Sequence, residues 1–267
     1  MSTQENANPR EEGIVLLERT GQVATITLSR PNSLNALTWT MYQQLETHIE
    51  NLAQDETIRV VVIRGAGKAF AAGTDITQFQ NFNGQAGVQY EHRMEEVVEK
   101  LYDFPKPLIA AIHGSAVGAG IILSSVCDLR YATPASRFGA PMARTLGNTL
   151  SLKNYQHLAE AFGAMRAKEM LFTARLLSAQ EALQCGFLTA IFNEEQIFPQ
   201  VFEIARQIST LAPLTIWAAK EADRRIHAAE KSIPFDDVLE RVYDSQDFAE
   251  GVRAHIEKRK PQFFNTL

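Results

Sequence analysis

The sequence predicts an α/β fold, and three observations carry the prediction. Short apolar runs at residues 14–18, 23–29, 58–63 and 108–112 alternate with amphipathic stretches at 38–54 and 90–102. Strands that alternate with helices pair in parallel and are covered by helices. The run 58–63 is continuously apolar, as in a strand buried on both faces. From about residue 198 the pattern turns helical and charged.

Taken in order, residues 1–12 are polar and lack an apolar signal core, so they are expected to be a flexible tail. Residues 14–18 and 23–29 form a hairpin around Thr20-Gly21. Residues 38–54 form a helix capped by Thr38, with Met41, Leu45, Ile49 and Leu52 on one face. The polar, glycine-containing stretch 78–89 predicts a mobile loop. Residues 90–102 form a helix that aligns Tyr90, Met94, Val97 and Leu101. Strand 108–112 and helix 119–125 follow, and residues 204–211, 213–229 and 234–260 complete a helical C-terminal region. No fixed-period repeat is present. The expected organisation is a tail (1–12), a core domain (13–200) and a C-terminal helical region (201–267).

The 267 residues are 45% hydrophobic and 21% charged, with a net charge of -5. That is an ordinary balance for a globular chain and gives no basic surface for nucleic acid. No stretch reaches the roughly 18 apolar residues of a membrane span, so a cytoplasmic protein without nucleic-acid or membrane partners is expected. Cys127 and Cys185 offer neither a disulfide framework nor metal spacing, and the six histidines show no zinc pattern. No metal site is expected. Gly65-Ala66-Gly67-Lys68 lacks the remaining residues of a phosphate loop, and Gly118-Ala119-Gly120 lacks the third glycine of a dinucleotide fingerprint.

Two small-residue runs carry the functional signal. They are Lys68-Ala69-Phe70-Ala71-Ala72-Gly73-Thr74-Asp75-Ile76 and His113-Gly114-Ser115-Ala116-Val117-Gly118-Ala119-Gly120, each following an apolar strand. Small residues let a backbone approach a ligand closely. If the second run opens a helix, its unsatisfied N–H groups face outward. Two facing N–H groups make an oxyanion hole.

These runs, with Leu28-Ser29-Arg30-Pro31, Asn35-Ala36-Leu37, Cys127-Asp128, Phe138-Gly139-Ala140-Pro141, the segment 173–182, Gly186-Phe187 and the segment 257–263, resemble the crotonase (enoyl-CoA hydratase/isomerase) superfamily over residues 28–263. The resemblance implies a spiral of repeated strand–strand–helix units with a C-terminal helical region that packs between subunits of a homotrimer or homohexamer. It implies an acyl-CoA thioester substrate, with coenzyme A part of the substrate and no permanently bound cofactor. The oxyanion donors would be the backbone N–H groups of Thr74 and Ala119, with a possible substrate contact from the Thr74 hydroxyl. Coenzyme A would lie near Arg30, Ala36 and Ala72, with Lys258 and Phe263 reaching the nucleotide of a neighbouring subunit. The acyl group would lie against Tyr90, Met94, Val97 and Leu101.

The resemblance also implies two catalytic glutamates, and this chain carries Ile122 and Met142 at the corresponding positions. Neither side chain moves a proton, so two-glutamate hydration is not expected. Three alternatives stand. Arg144, with Thr145 and Asn148 nearby, could hold a substrate carboxylate for decarboxylation. Another group could supply the proton: Glu91, Glu95 or Glu96, whose plainer role is a solvent-exposed helix edge, or His113, whose plainer role is a core histidine. Asp75 reads as a turn residue. Finally, the chain could bind acyl-CoA without catalysis. The expectation carried forward is an enzyme of the enoyl-CoA hydratase/isomerase type that stabilises an enolate, a lyase or isomerase of acyl-CoA metabolism.

Overall fold

In the computed structural model, which describes residues 12–228 and 235–263, Ile14–Thr20 (β1) and Val23–Ser29 (β2) form the expected hairpin. Val60–Gly65 (β3) pairs parallel to β2, and Leu108–Ile112 (β4) pairs parallel to β3. Leu129–Ala132 (β6) and Ala190–Ile191 (β9) extend the sheet to six strands in the order β1-β2-β3-β4-β6-β9. A second sheet holds Ser115–Val117 (β5), Arg137–Gly139 (β7) and Leu177–Ser178 (β8). Each turn of the chain therefore sends one strand to each sheet. β4 is followed by β5 and the helix Ala119–Ser125 (α3), and β6 by β7 and the helix Leu152–Phe162 (α4). The first turn follows the same plan, because Ala71, after β3, bridges to Ala116 of β5.

The continuous apolar character of β3 has a direct cause. Val61 and Ile63 face the main core with Leu45 and Leu101. Val60 and Val62 face a second layer formed by Ile197, Val201 and Ala205. Those residues lie on the helix Ile197–Ser209 (α7), which covers the outer face of the large sheet. The expected domain boundary at 200/201 thus falls inside α7.

The helix Trp39–Gln54 (α1) starts where Thr38 accepts a hydrogen bond from the Met41 N–H, and it buries Met41, Leu45, Ile49 and Leu52. The stretch expected to be a loop at 78–89 is different. Ile76–Phe79 is a short 3-10 turn, and a helix, Gly84–Tyr102 (α2), begins six residues before Tyr90. Asn83 caps it by accepting from the Ala86 N–H. Its glycines serve packing: a Cβ at Gly87 would lie 2.0 Å from Cγ of Tyr243. Composition alone reads those glycines as loop residues, and a long-range contact makes them helical.

Ala164–Thr173 (α5) and Ala179–Gln184 (α6) occupy the span between β7 and β9, with a capping box between Ser178 and Glu181 at the start of α6. Pro213–Ala228 (α8) is near its expected place. The helix expected over 234–260 is two helices, Asp236–Tyr243 (α9) and Gln246–Ile256 (α10), and Ser245 caps the second by accepting from the Phe248 N–H. The break leaves the Asp244 carboxylate to accept from the Gly84 N–H. The tail expected at 1–12 lies outside the described residues except for Glu12. No helix among the described residues is long and apolar enough to cross a membrane.

Candidate active site

The two small-residue runs meet edge to edge. The Ala71 N–H donates to Ser115 O at 3.1 Å, and the Val117 N–H donates to Ala71 O at 3.0 Å. On its other side the first run pairs with Leu37. The Leu37 N–H donates to Gly73 O, and the Asp75 N–H donates to Leu37 O, both at 2.8 Å. In this bridge the N–H of Thr74 turns away from Leu37. Ala119 opens α3, so its N–H has no partner within the helix. Among the described residues neither amide has a hydrogen-bond acceptor. Gly118 makes the approach possible: its φ of 55° with ψ of -120° is a region only glycine enters readily. A Cβ on Gly118 would stand 3.4 Å from the Gly73 Cα.

Both Thr74 and Ala119 line a cavity of about 310 Å³. Its wall is largely apolar, with Phe79, Met94, Val98, Ile122, Met142 and Leu146 among the contributors. Of the four residues expected against an acyl group, Tyr90 and Met94 line it. Val97 and Leu101 do not; they are buried in the main core. The cavity face of α2 is Tyr90, Glu91, Met94 and Val98, a stripe rotated from the expected one. The expected stripe faces α1 and the sheet, and apolar periodicity cannot tell a core-facing stripe from a cavity-facing one.

Glu91 is the carboxylate in this wall, and it is 3% exposed. The simpler expectation of a solvated helix edge is therefore corrected for Glu91. The Tyr243 hydroxyl donates to its Oε1 at 2.6 Å, and the Ser151 N–H donates to its Oε2 at 2.9 Å. The Asn154 side chain also favours its charged form. Burial outweighs these donors and raises the carboxyl to a pKa of about 7. Glu91 can thus exchange a proton near neutral pH. Glu95 and Glu96 stay outside the cavity, Glu96 paired with Arg93 at 3.0 Å.

Thr74 contributes more than its amide. Its hydroxyl is 2.7 Å from the Tyr42 hydroxyl and 2.8 Å from that of Tyr90. Both tyrosines are buried, and burial raises both phenols well above their ordinary value. The Thr74 hydroxyl is engaged by protein and holds the first run against α1 and α2.

The remaining candidates separate clearly. Ile122 and Met142 line the cavity beside Ala119 and Pro141. Arg144 is exposed and outside the lining, on a short 3-10 turn, Met142–Arg144. The carboxylate-holding role considered for Arg144 has no geometric support, because the residue is exposed and not part of the cavity wall. Thr145 and Asn148 do line it. His113 also lies elsewhere. Its Nε2 is 2.9 Å from Gly67 O, its ring packs edge-on to Phe198, and burial lowers its pKa. Asp75 is a turn residue, as expected: Oδ1 accepts from the Thr77 N–H and hydroxyl, and Oδ2 pairs with Arg30 at 2.7 Å.

Of the residues expected near coenzyme A, Ala72 lines the cavity. Arg30 donates to Ala36 O at 3.3 Å and anchors the turn before α1. Lys258 is exposed and Phe263 half-buried, both away from the cavity. Among the described residues no cluster of His, Cys, Asp and Glu could hold a metal ion.

Sequence reasoning missed Tyr42, Ser151, Asn154, Tyr243 and His255 as members of this site. Tyr243 is 152 positions from Glu91, and no local pattern joins them. The one available signal was a buried tyrosine's need for a hydroxyl partner.

Comparisons with known proteins point to one family. The enoyl-CoA hydratase/isomerase family model matches residues 18–266. The short-chain enoyl-CoA hydratase of Clostridium acetobutylicum is 32% identical over 254 residues, covering 94% of this chain and 97% of that protein. An enoyl-CoA hydratase/carnithine racemase structure from Magnetospirillum magneticum superposes with a TM-score of 0.77 at 32% identity, over 95% of this chain and 96% of that one. A methylmalonyl-CoA decarboxylase in complex with 2-nitronate-propionyl-CoA superposes with a TM-score of 0.86 at 30% identity, over 95% and 99%. This chain belongs to the enoyl-CoA hydratase/isomerase family of the crotonase superfamily.

Proposed function

We propose that the protein binds an acyl-CoA thioester, polarises its carbonyl with the N–H groups of Thr74 and Ala119, and moves the α-proton with Glu91. One observation carries this reading: the single carboxylate in the wall faces the same cavity as the two unpaired amides. As the α-proton leaves for Glu91, charge grows on the thioester oxygen, where two preorganised donors stabilise it. One carboxylate suits a proton shuttle between two carbons, as in double-bond isomerisation. Addition of water by a separate acid and base does not suit it, because Ile122 and Met142 are inert. Coenzyme A would enter past Ala72, with Arg30 and Ala36 shaping the turn beneath it and Lys258 and Phe263 reaching a neighbour's nucleotide.

A second reading, decarboxylation, is favoured by the TM-score of 0.86 to the decarboxylase against 0.77 to the hydratase/racemase. Loss of carbon dioxide needs the oxyanion donors and no base. Among the lining residues only His255 can carry positive charge toward a substrate carboxylate.

The test is mass spectrometry of crotonyl-CoA, butyryl-CoA and methylmalonyl-CoA incubated with the protein in heavy water. Deuterium entering the first two in the wild type, slowed about 10³-fold in Glu91→Gln, supports the proton shuttle. Carbon dioxide release from the third, at equal rate in both proteins, replaces it with decarboxylation. A homotrimer or homohexamer belongs to the same proposal. α8 and the turn before it expose Leu211, Leu214, Trp217 and Ile226, and light scattering that gives a monomer mass would remove it.

A further inference from the structure

Glu91 belongs to two surfaces at once. It lines the cavity, and it lies on the face of α2 that packs against α9. Gly84, Gly87 and Glu91 recur at intervals of three and four residues, so they share one face of the helix. The two glycines carry no side chain, and α9 settles onto the face they leave open. A Cβ at Gly84 would stand 2.5 Å from Oδ2 of Asp244, and the Gly84 N–H donates to Oδ1 of the same carboxylate. Gly87 makes way for the ring of Tyr243. One turn further along α2, the Tyr243 hydroxyl reaches Oε1 of Glu91. Tyr243 is 1% exposed and stands outside the cavity wall. Its hydroxyl acts on the cavity through Glu91.

We propose that Tyr243 is the positioning residue of this site: with α9 docked, its hydroxyl fixes the Glu91 carboxylate for proton transfer, so the C-terminal helices complete the active site. This rests on the proton-shuttle reading above and deepens it. The carboxylate is held from two sides. The Ser151 N–H at the start of α4 donates to Oε2 at 2.9 Å, and the Tyr243 hydroxyl donates to Oε1 at 2.6 Å. Each oxygen keeps a second lone pair, so the two bonds orient the group and leave it able to take a proton. Without Tyr243, Oε1 loses its hydroxyl donor and the group turns about the bond to Ser151. Proton transfer is sensitive to such misplacement. The other groups acting on Glu91 are Glu95 and Tyr90 of α2, Tyr42 of α1 and the Asn154 side chain of α4. His255 of α10 lines the same cavity. Glu95 is the charged one among the α2 and α4 groups, and it disfavours ionisation of Glu91. Burial keeps all three phenols neutral, so Tyr243 remains a donor.

The experiment follows the Glu91 carboxyl by infrared titration of the full-length protein, alongside the pH profile of deuterium exchange into butyryl-CoA. The Glu91 band is identified by its loss in Glu91→Gln. Tyr243→Phe keeps the ring and removes the donor. A donor to the carboxylate favours its charged form, so its loss raises the titration midpoint. The expected shift is about one pH unit upward, a tenfold change in proton affinity. The exchange profile moves up with it, and kcat falls about tenfold with KM within about twofold, because Tyr243 does not line the cavity. Gly87→Ala displaces the ring by a second route, its methyl standing 2.0 Å from the present Cγ of Tyr243. It is expected to raise the midpoint in the same direction, and it decides the matter if Tyr243→Phe does not fold. A midpoint and profile unchanged in Tyr243→Phe, even with stability lost, make Tyr243 a packing residue. That result overturns the proposal and leaves the proton shuttle standing. Absence of exchange in the wild type removes the proton shuttle and the positioning role with it.

Discussion

The two ends of the cavity are built in opposite ways. One end is backbone: the unpaired N–H groups of Thr74 and Ala119, set by Gly118 and by hydrogen bonds between two runs of small residues. The acid end is side chain: Glu91 from α2, Ser151 and Asn154 from the start of α4, and Tyr243 from the end of α9. At the first end, function constrains backbone conformation, and small residues in a row record that constraint. At the second, function constrains only the meeting point of distant side chains, which leaves no local trace. The two ends should therefore fail differently.

The largest effect is expected at the backbone end. Gly118→Ala forces a side chain into a conformation with φ of 55° and ψ of -120°, at a cost of about 1–3 kcal/mol. It also displaces the Ala119 N–H. Turnover should fall about 10²- to 10³-fold, while Thr74→Ser, which keeps amide and hydroxyl, leaves turnover within a few-fold. Equal losses in both would show that the backbone is not the donor.

At the acid end the effect should depend on pH. Glu91 titrates at about 7 in the fold against an ordinary 4.5. The folded state holds the proton more tightly than the unfolded chain. Its stabilising contribution is complete below 4.5 and is lost as pH rises through 7, amounting to about 3 kcal/mol. Glu91→Gln cannot ionise, so its stability relative to the wild type should rise by that amount between pH 4 and pH 8, read by urea unfolding. If Glu91 is the base, wild-type proton exchange should climb over the same interval as the carboxyl ionises. A flat difference in stability would show that Glu91 is not buried in solution.

The smallest effect is expected at the junction of the two ends. Thr74→Val removes the oxygen shared by the Tyr42 and Tyr90 hydroxyls and should cost about 1–2 kcal/mol of stability. Affinity for butyryl-CoA should stay within about twofold. A tenfold loss of affinity would mean that the hydroxyl touches substrate, as the sequence alone left possible.

Much of this contrast was legible beforehand. The hairpin, the buried β3, the capped α1 and the opening of α3 all follow from periodicity and capping residues close in sequence. What was misread shares one cause. Residues 84–89 are helical because Gly84 and Gly87 admit α9. The C-terminal helix breaks at Asp244 and Ser245 where its side chains turn to cap Gly84 and Phe248. Val97 and Leu101 share the apolar stripe of Met94 but face the core.

The sequence by itself determined the family, the strand–helix alternation and the close meeting of the two small-residue runs, because close backbone approach demands small residues at fixed places in the chain. Only the tertiary structure decided which acid enters the cavity. Glu91, Glu95 and Glu96 are chemically alike and lie on one helix, and the choice among them falls to Tyr243, Ser151 and Asn154, which arrive from remote segments to meet the buried carboxylate.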